Sequence, residues 1–139
     1  MNNELWDTSI YVIKLRKDPN FLQEEPQEHI YLSSVVVGEL ATGFVYRKEI
    51  LPRFEECVEF FRKNSRLITP TNYDWYLSGI IIGEIISRRP DLKNKKALLF
   101  NDCLIATSSR VVKAKVATAN RLDFQLIRKW LNFDVEYLD

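Results

Sequence analysis

The chain contains a single histidine, His29. That scarcity excludes a metal-independent ribonuclease using two histidines as acid and base. Cysteine is almost as rare: Cys57 and Cys103 form no CxxC pair and read as two buried thiols of a reducing compartment, not a disulfide. No GxSxG elbow is present to seat a serine nucleophile, and no Walker loop to cradle a nucleotide. A phosphoacceptor receiver needs a neighbouring acidic pair and a haloacid-type phosphatase needs DxD; Asp7-Thr8-Ser9 supplies neither. The N-terminus lacks a basic segment followed by an apolar run and a small-residue cleavage site. Long hydrophobic runs are missing too, since the apolar patch around Ile80 to Ile86 is interrupted by Gly83 and Glu84 and is too short to span a bilayer. A cytoplasmic protein without membrane contact is the expectation.

Charge of one sign is also lacking. Twenty Lys and Arg face nineteen Asp and Glu, for a formal net charge of +1. No whole-molecule field attracts nucleic acid, so any such site must be a local basic patch. What is plentiful is core-forming material: of 139 residues, 46% are hydrophobic and 12% aromatic, which suits one domain over residues 1–139 and argues against disorder.

Short strand-like runs alternate with helical ones, which predicts an α/β fold with a mostly parallel central sheet flanked by helices. The first strand ends at Leu5-Trp6-Asp7, and a helix follows from Thr8 or Ser9 to Arg16. Ile30 to Ser33 reads as a strand, with Ser33 or Ser34 capping a helix that runs to about Tyr46. Leu51, Phe54, Val58 and Phe61 fall at helical spacing, giving a helix from about Pro52 to Lys63. Leu67-Ile68 is a third strand. Thr71 and Asp74 form a capping pair for a helix through Ile86. Helix over Leu98 to about Val112, strand over Lys115 to Thr118, helix over Asp123 to Leu131 and an edge strand over Phe133 to Tyr137 complete the reading.

In such sheets ligands gather beyond the carboxyl ends of the strands. Asp7 ends the first strand, Glu39 lies early in the helix after the second, and Asp123 opens the helix after the fourth, just past Asn120. Asp102 has Leu98, Leu99, Ile105 and Ala106 around it at helical spacing, which puts its carboxylate on or beside the buried stripe. An unpaired charge there is costly and calls for a partner or a cation. Taken singly, Asp7 and Asp123 can be helix-start acids and Glu39 a solvated helix residue. As a set, hard oxygen donors suit Mg²⁺ or Mn²⁺ rather than zinc.

Several segments carry a resemblance: LWDTSIYVIKLR with Asp7, YLSSVVVGELATGF with Glu39, ITPTNYDWYLSGIII, LLFNDCLIATSSR with Asp102, and TANRLDF with Thr118, Asn120 and Asp123. In this order they resemble the PIN-domain nucleases, and among those the VapC ribonuclease toxins of bacterial toxin–antitoxin pairs. The resemblance implies a three-layer fold with the acids meeting at one end of the sheet. It also implies Mg²⁺- or Mn²⁺-dependent endoribonuclease activity, a small antitoxin occupying the active-site groove, and a homodimer. Asp7, Glu39, Asp102 and Asp123 carry over as the metal-binding acids, with Thr8, Ser9, Thr118 and Asn120 as auxiliary hydroxyl and amide groups. One departure is Lys113, which stands where a glycine is usual in the turn after the long helix.

Basic residues expected near the site are Arg110, Arg121, Lys95 and Lys96, with Lys93 beside them; as a set they could meet RNA phosphates. Trp75, Trp130 and the phenylalanines read as core or dimer contacts, not base-stacking platforms. The broad apolar face of the helix from Thr71 to Ile86 suits internal packing or a dimer surface. Two alternatives stand beside the toxin reading. One is a catalytically silent PIN-like module that binds RNA or protein; the other is a nuclease of RNA processing or of DNA.

Overall fold

The computed structural model describes residues 2–138. Five strands, β1 (Glu4–Trp6), β2 (Ile30–Ser33), β3 (Leu67–Ile68), β4 (Lys115–Thr118) and β5 (Val135–Tyr137), form one sheet in the order β3-β2-β1-β4-β5. Every pairing is parallel, so the sheet is parallel throughout, not just mostly so. Register follows from pairs such as Leu5 with Tyr31 on one side and Leu5 with Val116 on the other.

Six α-helices connect the strands: α1 (Thr8–Lys17), α2 (Ser34–Phe44), α3 (Leu51–Lys63), α4 (Asn72–Arg88), α5 (Lys96–Ser109) and α6 (Arg121–Arg128). Parallel strands require crossovers, and right-handed crossovers decide the layers. The chain moves from β1 outward to β3 and then jumps back across β1 to β4. That reversal puts α1, α2 and α3 in one group and α4, α5 and α6 in another, with α5 packed against both α4 and α6. The result is a three-layer α/β sandwich whose core includes Leu5, Leu32, Val116, Phe61, Leu99, Ile105 and Phe124, none more than 1% exposed.

Local chemistry accounts for the helix ends. Ser33 accepts a hydrogen bond from the Val35 amide at 3.1 Å and starts α2. Thr71 and Asp74 form a reciprocal capping box at α4, each accepting from the other's backbone N–H. Pro90 lacks the N–H that would continue α4, and a 3-10 stretch, Pro90–Lys95, takes over.

Several boundaries depart from the sequence reading. Helix α5 begins two residues before Leu98 and stops at Ser109, not Val112. Its last turn is buried, and the hydroxyls of Ser108 and Ser109 bond back to the carbonyls of Leu104 and Ala106 at 2.6 and 2.7 Å. The turn that follows places Lys113 at φ 52°, so the left-handed conformation is adopted without glycine. Helix α6 begins at Arg121 and ends at Arg128, two residues early at one end and three at the other. Helix α2 ends at Phe44, short of Tyr46. Both cysteines are free and buried, and burial pushes each thiol up to about 11. Among the described residues no helix is long and apolar enough to cross a membrane.

Candidate functional site

The reversal in strand order falls between β1 and β4, and the crevice at their carboxyl ends is where such sheets bind ligands. Asp7 leaves β1 there, with its amide still held by the Ala117 carbonyl of β4 at 2.9 Å. It occupies the N-cap position of α1, yet its side chain makes no capping bond. One carboxylate oxygen instead accepts the hydroxyls of Ser9 and Thr118, each at 2.9 Å. The helix-cap explanation of Asp7 therefore fails: its carboxylate takes the hydroxyls of Ser9 and, across the sheet end, Thr118, and no backbone N–H of α1.

Asp102 and Asp123 arrive from the other layer. Each is 6% exposed and Asp7 is 4% exposed, so three carboxylates are nearly out of solvent. The Asn120 side-chain amide ties two of them together, donating to Asp102 at 3.0 Å and to Asp123 at 3.1 Å. Asp123 also accepts the ammonium of Lys95 at 2.7 Å. Its oxygens go to side chains, so Asp123 too is more than a helix-start charge. Glu39, partly buried on α2, accepts the Thr8 hydroxyl at 2.7 Å.

The four acids act on one another electrostatically. Burial, and then the charges of Asp7, Asp123 and Glu39, push the carboxyl of Asp102 up to about 9, with Lys95 pulling the other way. Glu39 is raised by burial, with Asp7 adding to the shift, while hydrogen bonds from Thr8 and Asn101 oppose it. The cluster thus carries more negative charge than its surroundings compensate, the condition under which a cation is welcome. In kind, the donors fit a hard divalent ion: carboxylate oxygens ringed by hydroxyls and amides. In placement, no three His, Cys, Asp or Glu side chains among the described residues form a ready-made cage.

The auxiliary residues join the site. Ser9 receives the Ala119 amide at 3.0 Å and Thr118 the Asn120 amide at 2.9 Å, which locks the β4–α6 loop against the start of α1. The basic residues divide. Lys95 enters the cluster itself, and Lys96 stands exposed at the start of α5 in a concavity with Lys93, Trp75 and Asn101. Arg121 flanks Asn120, its guanidinium 4.7 Å from the Tyr137 ring centre. Arg110 does not join. It caps the far end of α5, in the turn leading into β4 and therefore at the amino ends of the strands. Being eight residues beyond Asp102, it is about 12 Å further along the helix axis.

Sequence reading missed Asn101, which lies beside Glu39 and helps hold its carboxyl down; nothing in its local pattern distinguishes it from an ordinary polar helix residue. It also missed what Lys95 does. Lys95 is the N-cap of α5 and its partner Asp123 lies 28 residues further on, so no local spacing pointed to the pair.

No protein-family profile and no curated protein sequence matches the chain. Solved structures do. A chain of the FitAB complex bound to a DNA fragment aligns over 96% of this chain and 93% of its own, with TM-score 0.67 and 21% identity. A chain of FitAcB from Neisseria gonorrhoeae covers 94% of each, with TM-score 0.59 and 22% identity. A chain of VapBC2 from Rickettsia felis, bound to a promoter DNA fragment, covers 98% of each, with TM-score 0.56 and 22% identity. At these identities the likeness establishes a shared fold across the chain.

Proposed function

We propose that the chain forms one PIN-like domain acting as a metal-dependent endoribonuclease, the toxin of a cytoplasmic toxin–antitoxin pair. The observation that carries this reading is the convergence of Asp7, Glu39, Asp102 and Asp123 from four separate elements onto the strand-order reversal, three of them nearly buried. Buried carboxylates clustered in a cleft and raised by one another are a signature of functional sites. The names of the fold neighbours, complexes of the FitAB and VapBC kind, support an antitoxin partner and assembly on DNA.

Bound to these carboxylates, Mg²⁺ or Mn²⁺ would polarise the phosphodiester and lower the pKa of a water. The chain's own residues do the rest. Asp7, Glu39, Asp102 and Asp123 would hold the ion. Ser9 and Thr118 orient Asp7, Thr8 and Asn101 orient Glu39, and Asn120 spaces Asp102 from Asp123. Lys93, Lys96 and Arg121 supply cationic contacts at the rim, where RNA phosphates would pass. The homodimer would form through α4, which leaves Tyr76 and Ile80 exposed on one side.

The test is cleavage of total RNA and of single-stranded DNA in Mg²⁺ or Mn²⁺, with wild type and Asp102→Asn side by side. Wild type should cut RNA, chelation should stop it, and Asp102→Asn should lower the rate by about a hundredfold or more. Equal cleavage by the two proteins would sink the nuclease reading, and preferential cutting of DNA would sink its RNA half.

A further inference from the structure

The acid cluster carries its own cation. The ammonium of Lys95 is 2.7 Å from Oδ1 of Asp123, and Oδ2 of the same carboxylate accepts the Asn120 amide at 3.1 Å. Both oxygens of Asp123 are thereby engaged. The charge of Lys95 also reaches Asp102, whose carboxyl burial and then the neighbouring acids raise. The two ends of the ion pair differ in freedom. The Asp123 side chain is 8% exposed and locked by Asn120, while the Lys95 side chain is 44% exposed on the last residue before α5. A fixed carboxylate thus meets a cation on a long flexible stem that can withdraw into solvent.

Space and charge make this contact exclusive. A divalent ion must sit about 2.0–2.6 Å from a carboxylate oxygen it binds. An ammonium already on that oxygen blocks the approach and repels the incoming charge.

We propose that Lys95 is a tethered counter-ion that occupies the cation position of the acid cluster, competes with divalent metal for Asp123, and is released to the mouth of the site when metal binds. This rests on the metal-centre reading above and adds a regulatory role for a residue of this chain. Released, the ammonium stands beside Lys96 and Lys93 at the rim, positioned for a phosphate rather than for the acids. Competition of this kind weakens metal binding, so the site stays empty at low divalent concentration without losing its structure.

Mn²⁺ titration by calorimetry, without RNA, tests this in wild type, Lys95→Met and Lys95→Gln. Both variants should bind Mn²⁺ about tenfold tighter than wild type, the partly exposed pair placing the effect between surface and buried extremes. Both should also melt at lower temperature than wild type in chelator. A purely structural lysine would not tighten metal binding, so equal or weaker affinity in the variants overturns the proposal. Amine-selective labelling of the wild type provides a check that needs no variant. Adding Mg²⁺ should raise modification of Lys95 while leaving Lys93 and Lys96 unchanged, and unchanged or lower Lys95 labelling counts against release. If none of the proteins binds Mn²⁺, the metal-centre reading fails together with this one; if all bind it equally, only the Lys95 proposal fails.

Discussion

The carboxyl of Asp102 is held up to about 9 by burial first and by Asp7, Asp123 and Glu39 after it. The ordinary carboxylate value of an unfolded chain is 3.8. Between those values the folded state keeps a proton that the unfolded state releases, so stability falls as pH rises. The contribution of neutral Asp102 is complete below the unfolded value and lost as pH rises through about 9. The metal-free protein should therefore melt at a lower temperature at about pH 9 than at about pH 5. Asp102→Asn keeps a neutral polar group beside Asn120, so it should flatten that dependence and raise the melting temperature at the alkaline end. A melting temperature unaffected by this substitution at about pH 9 would contradict the argument. Added Mg²⁺ should reduce the slope in wild type, because the cation offsets the charge that Asp102 acquires.

At the scale of elements, the α5–β4 connection shows where local preference yields to packing. Lys113 is exposed and sits at φ 52°, a conformation that costs a side chain about 1–2 kcal/mol over glycine's freedom. The turn has no choice. It must return the buried end of α5 to β4, and the Ala114 amide is tied to the Ser109 carbonyl at 3.0 Å. Lys113→Gly should stabilise the fold by about 1 kcal/mol in chemical denaturation, part of the gain being offset by unfolded-state entropy. Destabilisation by Lys113→Gly would mean that the lysine side chain contributes more than its backbone costs. The α4 capping box is the opposite case, in which Thr71 and Asp74 state their role in the sequence and the helix begins as they dictate.

At the scale of the molecule, α4 has two faces. Ser78, Ile81, Ile82 and Ile85 are buried against the core, while Tyr76, Gly79, Ile80 and Gly83 lie on the exposed side. The helix accordingly serves internal packing and still keeps an apolar strip, and the two glycines have nothing near their Cβ positions. Such a strip suits close approach by a second copy. If the proposed dimer forms through this strip, Ile80→Glu should leave the melting temperature within a few degrees and lower the mass to that of a monomer in sedimentation equilibrium. An unchanged mass would exclude α4 as the contact. Trp75 belongs elsewhere: it is 52% exposed, packs on Phe100 at 5.7 Å, and lines the groove beside Glu39.

Much of the fold was legible because periodicity, capping residues and strand composition are local. The limits of β2, β3 and β4 were readable from their own residues, and so was the burial of Asp102, whose helical neighbours are apolar. The types of the four acids, and the places of Asp7, Glu39 and Asp123 after strands, also came from the sequence. Only the tertiary structure decided which of these residues meet. Strand order set the reversal between β1 and β4, bringing Asp7 within 2.9 Å of Thr118 across 111 residues of chain. The direction of α5 carried Arg110 to the far end of the sheet and left Lys95 beside Asp123. Sequence spacing constrains neighbours within about a turn of helix. Contacts across layers depend on crossover hand and helix direction, which no single segment encodes.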